Sequence, residues 1–226
     1  MKKIEKMNEL AWVLGIVLCA LGVALCTKAN FGLSMVAAPA YILHRKISEI
    51  LPWFTQGVSE YVWQFLWLIL TALIVRRFRV RYLLCFGTAV LFGLTLDGWL
   101  WLLGGGTPYV SLAMRIAVFV IGMNVTALAI ALFFRTKLPL EVYELTVAEV
   151  ADRYRLPISR VKFLYDAMML TISIVLALSL LHGFVGIGIG TVITTLLNAS
   201  LITFYGKILD RFFTFDARFP KLTEKL

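Results

Sequence analysis

The sequence predicts an all-α, polytopic membrane protein: six transmembrane helices built as two inverted three-span repeats, with short re-entrant or interfacial helices added. Three observations lead there. The chain is 61% apolar, with a mean hydropathy of +0.88, a composition foreign to soluble domains. Several runs approach or exceed the ~18 apolar residues that mark a bilayer-spanning helix. Two stretches also follow one plan. Each has an apolar span closing on Thr-Lys (Thr27-Lys28, Thr136-Lys137), a short helix, an apolar span, and a last span opening on Gly-Thr (Gly87-Thr88, Gly190-Thr191).

The spans fall at about 9–27, 58–75, 82–103, 109–134, 162–181 and 184–206. All are helices, because an open strand edge cannot be satisfied in lipid. The run from Phe31 to Leu43 is apolar but too short to cross, and it contains Gly32 and Pro39, so it reads as re-entrant or interfacial. The segment 138–155 carries Glu141, Glu144, Glu149, Asp152, Arg153 and Arg155 and reads as an amphipathic helix in or beside the cytoplasmic interface. Pro139 and Pro157 mark its ends.

The basic residues orient the spans. Lys2, Lys3 and Lys6 precede the first; Arg76, Arg77, Arg79 and Arg81 separate the second from the third. Arg135, Lys137, Arg153, Arg155, Arg160 and Lys162 lie between the fourth and fifth, and Lys207, Arg211, Arg218, Lys221 and Lys225 follow the sixth. Six spans put all four clusters on one side, which is the cytoplasm by the positive-inside rule, so both termini are expected there. A seventh span at Phe31–Leu43 would drive the Arg76–Arg81 cluster outside. Because three spans per repeat is odd, the copies 10–103 and 110–206 of the single 1–226 membrane domain must insert in opposite senses. The net charge of +9 needs no nucleic-acid partner, since the cations sit at the ends of apolar runs. Cys19, Cys26 and Cys85 show no metal or disulfide spacing and read as small buried hydrophobes. The apolar run from Leu10 to Cys26 reads as an uncleaved first span.

Lys28-Ala29-Asn30-Phe31-Gly32-Leu33-Ser34, the two Gly-Thr openings and the acidic residue in the third span together resemble the YczE/YyaS/YitT-like family of bacterial integral membrane proteins. The resemblance covers roughly residues 10 to 210. Where such families often show Ser-Pro-Trp, this chain has Ser34-Met35-Val36. The resemblance implies a small polytopic protein of a bacterial membrane and carries over no site residues.

Charges inside a bilayer cost at least ~2.5–3.5 kcal/mol and need a reason. Asp97 and Arg115 flank Gly106 at equal separations, so an antiparallel hairpin would set them face to face, as a static clamp or as an ionisable gate. Glu60 reads as interfacial and Asp166 as a snorkelling carboxylate near its span's start. Gln64, Asn124 and Asn198 are candidates for hydrogen bonds between helices, and the last span is unusually polar. Gly186, Gly188 and Gly190 lack the strand–helix context of a nucleotide fingerprint. No nucleophile–base pair, HExxH or P-loop occurs, so an enzyme is not expected, nor is any metal or cofactor.

The expected function is a small-molecule transporter or permease working by alternating access between the repeats. Its site would gather Asp97, Arg115, Asn30, Ser34, Gln64, Asn124 and Asn198. Arg115 would favour an anionic solute, and Asp97 a cation or proton. A substrate-binding subunit needing a separate energising partner, and a non-transporting structural protein, stay open as alternatives. The expected partners are the lipid bilayer of the bacterial cytoplasmic membrane and a small-molecule solute. A second copy or a cytoplasmic protein docked on 135–162 is also open, and nucleic acid is excluded.

Overall fold

The computed structural model describes residues 8–136 and 138–213. Eight helices follow one another: α1 (Asn8–Ala29), α2 (Ala38–Ile47), α3 (Gln56–Val75), α4 (Val80–Leu102), α5 (Leu112–Phe133), α6 (Val142–Tyr154), α7 (Ile158–Leu181) and α8 (Ile189–Phe212). Six of them, all but α2 and α6, are long and apolar enough to cross a membrane. The terminal clusters around Lys3 and Lys225, and Lys137, lie outside the described residues.

Local chemistry sets the helix ends. Thr55 accepts a hydrogen bond from the Val58 amide at 3.2 Å and so caps α3. Pro39 sits in the first turn of α2, where its missing N–H costs nothing. Asn30 ends α1 in the left-handed region, φ 51°, which asparagine tolerates better than most residues. Gly32 follows at φ 102°. These turns delay α2 to Ala38, later than the apolar run starting at Phe31 suggests.

The packing centres on α1 against α5. The two backbones nearly touch: a Cβ on Gly122 would meet the Gly22 carbonyl oxygen at 2.9 Å. Such close approach is how apolar helices associate where lipid competes for every hydrophobic contact. The helix α4 flanks α1, and α8 flanks α5. The helix α8 is bonded to α5 by Tyr205 Oη donating to Asn124 Oδ1 at 2.8 Å, and to the turn after α5 by the Arg135–Asp210 pair at 2.6 Å. The helix α3 lies on α4 through Gly57 and Gly93, where a Cβ on Gly93 would lie 2.5 Å from the Gly57 carbonyl oxygen. Among the described residues, α7 packs on α2 and α6 and touches α3 where Tyr165 meets Trp67, while the helix neighbour of α8 is α5.

The two short helices are interior elements. The helix α2 buries Ala38 to Ile42 and packs on α3 and α7. Ser59 fixes it by donating to the Ala40 carbonyl at 2.6 Å. The helix α6, the amphipathic segment of 138–155, packs on α3, α7 and α4. Several of its charged residues turn inward and find partners. Glu149 is buried and accepts from Tyr82 Oη at 2.9 Å while pairing with Arg79 at 3.3 Å. The expectation of three buried cysteines agrees with the fold, where Cys19, Cys26 and Cys85 are free and buried.

Candidate functional site

One face of α3 presents Glu60, Gln64, Trp67 and Thr71, a stripe at helical spacing. All four are buried. The N-terminal end of α6 lies against this stripe, and the two elements exchange side-chain bonds. Gln64 donates from Nε2 to Glu141 Oε2 at 3.2 Å, and its Oε1 accepts from the Val142 amide at 3.1 Å. Tyr143 Oη donates to Glu60 Oε2 at 3.0 Å. One turn further on, the Thr71 and Thr146 hydroxyls meet at 2.7 Å. Glu141 itself begins α6, and the loop before it is held by its Pro139 carbonyl, which accepts from Trp12 Nε1 at 2.9 Å and Thr88 Oγ1 at 3.1 Å.

The result is a pair of enclosed carboxyl groups. Glu60 is 1% exposed and Glu141 8%. Each has one oxygen partnered as above, and in each Oε1 is buried without a partner. Neither carboxyl has a Lys or Arg within ion-pair distance among the described residues. Burial raises the Glu141 carboxyl well above the ordinary carboxylate range, and the charges of Glu144 and Glu60 add to this; the Gln64 bond offsets only part. Burial likewise pushes up the Tyr143 phenol, reinforced by Glu60, Tyr165 and Glu141, which keeps it a donor.

A pH dependence follows. The folded protein holds the Glu141 proton more tightly than the unfolded chain does. Its contribution is therefore complete below the unfolded carboxyl's ordinary value, and it is lost as pH rises through the raised folded value. The melting temperature of the solubilised protein should fall on going from acid toward alkaline pH, and Glu141→Gln should flatten that slope. An unchanged slope in the variant would assign the dependence elsewhere.

The residues expected from sequence to form the site are dispersed, with one exception. Gln64 stands in the carboxyl cluster. Asp97 does not face Arg115. Its oxygens instead accept from Thr55 Oγ1 at 2.5 Å and the Gly57 amide at 2.8 Å, tying α4 to the start of α3. Arg115 turns the other way, donating to the carbonyls of Ala29 at 2.7 Å and Asn30 at 2.9 Å while stacking on Phe31. The expected pair is thus replaced by two helix-terminal caps, because free amides at the start of α3 and free carbonyls at the end of α1 lie closer to each charge than the charges do to one another. Ser34 accepts from the Ala37 amide at 3.4 Å in the turn before α2. Asn124 binds its own helix at the Val120 carbonyl as well as Tyr205. Asn198 lies on α8, whose one helix neighbour among the described residues is α5.

Sequence reasoning passed over Glu60, Glu141 and Tyr143. The available signal was the pair Glu60 and Gln64, one turn apart on the face that continues to Trp67 and Thr71.

Residues 6–207 match a family described as a family of unknown function, DUF6198. The chain belongs to the DUF6198 family. The match spans all eight helices except the last turn of α8, so the site described above lies within the family's shared region. The chain is also similar to the uncharacterized protein YyaS of Bacillus subtilis (strain 168), 28% identical over 211 residues, which cover 92% of this chain and 96% of that one. The resemblance read from the Lys28–Ser34 segment and the Gly-Thr openings is therefore correct for a YyaS-like family. No solved structure matches the DUF6198 chain.

Proposed function

We propose that this DUF6198 protein is a small-molecule transporter of the bacterial cytoplasmic membrane, working by alternating access between inverted repeats 10–103 and 110–206. The observation that carries the reading is the enclosed Glu60–Gln64–Glu141–Tyr143 cluster, built from α3 of one repeat and α6 of the other. Ionisable groups inside a membrane bundle are costly and mark solute or ion pathways, and transporter sites lie where repeats meet.

The helix partners support the repeats. If α1 to α4 correspond to α5 to α8, then α1 on α4 answers to α5 on α8, α2 on α3 to α6 on α7, and α2 on α7 to α6 on α3. The broken loops correspond too. The Phe31 carbonyl accepts from the Gly190 amide at 2.8 Å, and the Pro139 carbonyl accepts from Thr88. Each repeat's first loop thus holds the other repeat's last span at its Gly-Thr pair, which opens α8 but lies two turns inside α4.

The repeats differ in two relations: α3 packs on α4 and α4 on α6, whereas among the described residues α8 contacts neither α7 nor α2. Exchanging the two repeat conformations would close α7 on α8 and part α3 from α4. That exchange is the alternating step in this reading. A ligand-stabilisation screen of the solubilised protein should yield a stabilising solute, and sealed proteoliposomes should move it down its gradient unaided. Stabilisation without flux would favour a binding subunit that needs an energising partner. Neither effect with any solute would favour a structural protein.

The same reading puts both termini in the cytoplasm. Single cysteines placed at Lys3 and Lys225, in a background lacking Cys19, Cys26 and Cys85, should resist an impermeant thiol reagent in intact cells and react after lysis. Labelling of either in intact cells would defeat the six-span, both-in topology.

A further inference from the structure

The Glu60 and Glu141 carboxyls call for an occupant, and the geometry limits what that can be. Their free Oε1 atoms each expose less than 1 Å². A hydrated ion or an organic cation has no room against them while α3, α4 and α6 are packed together. Among the described residues, no group of three His, Cys, Asp or Glu side chains could hold a metal ion. Two carboxylates enclosed together without a cation cannot both stay ionised. We infer that the Glu60–Glu141 pair is a proton-carrying site, closed off while Asp97 latches α4 onto α3 and opened to water when α4 withdraws.

The surroundings fit this assignment. Gln64 and Tyr143 each hold one oxygen of the pair as donors, leaving the other two oxygens to carry or accept the proton. From α7, Lys162 is engaged with Asp166 at 2.8 Å, and Tyr165 stacks on Trp67, so neither neutralises the pair. From α6, Glu144 adds negative charge, and Glu149 is satisfied by Tyr82 and Arg79 of the α4 end. From α1, the nearby titratable group is the thiol of Cys19, and at the outer end of α2 His44 is bound to the Phe54 carbonyl at 2.8 Å. Among the described residues, no cation on a packed element therefore competes with a proton.

The latch sits on the same helix pair, one turn before Glu60 at the start of α3. Asp97 of α4 holds the Thr55 hydroxyl and the Gly57 amide, and α4 reaches the loop before Glu141 through Thr88. Parting α3 from α4 would break the first contact, loosen the second and bring water to the carboxyls. This inference rests on the alternating-access reading for its opening step only. Enclosure of the proton is a property of the packed state alone.

The experiment is infrared spectroscopy of the purified, lipid-reconstituted protein exchanged into heavy water. The native protein should show a protonated-carboxyl absorption that persists at neutral pH, exchanges slowly, and disappears in both Glu141→Gln and Glu60→Gln. These near-isosteric variants keep the hydrogen-bonding shape, and the native spectrum decides the matter even if they fold poorly. Absence of the absorption at neutral pH would overturn the proton site, whatever the protein transports. The latch is tested with Thr55→Cys and Asp97→Cys in a background without native cysteines, joined by a short thiol-reactive linker. Exchange of the carboxyl proton should be at least about tenfold faster in the unlinked protein than in the linked one, as expected for a site that exchanges only on opening. Equal rates would overturn the latch. Solute flux is measured separately, so a failed proton site and a failed transport reading cannot be confused.

Discussion

Gly22→Val is expected to abolish recovery of folded protein. A Cβ at Gly22 would collide with Thr126 Oγ1 and lie 2.8 Å from both the Gly122 carbonyl oxygen and the Thr126 amide nitrogen. The hydroxyl can swing aside, but the backbone atoms belong to α5 and move only with the helix. Overpacking a core costs about 1–3 kcal/mol where side chains can adjust, and more where they cannot. Set against a total stability of about 5–15 kcal/mol, displacing the central helix pair is severe. Adding Thr126→Ala should rescue little, because the Gly122 contact remains. Gly87→Ala is the control. A Cβ at Gly87 would have no neighbouring atom within 4 Å, so the change should be neutral or gain about 0.5–1 kcal/mol from helix propensity. Size-exclusion profiles of the solubilised variants, read beside membrane expression, decide between the two behaviours. A monodisperse Gly22→Val protein would show that the α1–α5 seam is looser than its backbone contacts state.

Asp97→Asn and Arg115→Gln are expected to be additive. Each charge serves its own helix end, the start of α3 for Asp97 and the end of α1 for Arg115, and they share no partner. Charge-assisted hydrogen bonds are worth about 1.5–3 kcal/mol in favourable settings. These conservative variants should each lower stability by about 1–2 kcal/mol, since Asn and Gln retain some bonding. The double variant should equal their sum within about 0.5 kcal/mol, as independent sites do. A double variant more stable than that sum would revive the direct ion pair that the sequence suggested.

The six spans were legible in the sequence because a bilayer demands length and apolarity, and both are written along the chain. Five of the spans end within four residues of the expected ranges, while the last, Ile189–Phe212, lies five to six residues later than 184–206. Facing was not legible. The equal spacing of Asp97 and Arg115 about Gly106 fixes depth in a hairpin but not rotation, and rotation sends one charge toward α3 and the other toward α1. Glu60 and Glu141 looked like ends of elements, where charge is ordinary. Nothing in either local pattern says that a third element will close over it. The Gly-Thr motif makes the same point. Gly87 opens onto empty space, whereas a Cβ on Gly190 would meet Phe119 Cε2 at 2.7 Å and the Phe31 carbonyl oxygen at 2.8 Å. Two identical dipeptides thus carry different constraints, set by neighbours that the sequence does not name.

The single-helix attachment of α8 has a consequence for how the molecule comes apart. Over their most apolar windows, 56% of α1 but only 17% of α8 is buried against protein. Beyond its start, where Gly190 is bound to the Phe31 carbonyl, a helix with one helix neighbour can peel away with little disturbance of the rest, so those amides open by local excursions, while those of α1 await disruption of the whole bundle. During synthesis α8 is also the last of the eight helices to leave the ribosome, and it docks on an α5 that is already in place. Among the described helices α1 is therefore held most firmly and α8 least, and damage confined to α8 would cost the molecule a helix without costing it the fold.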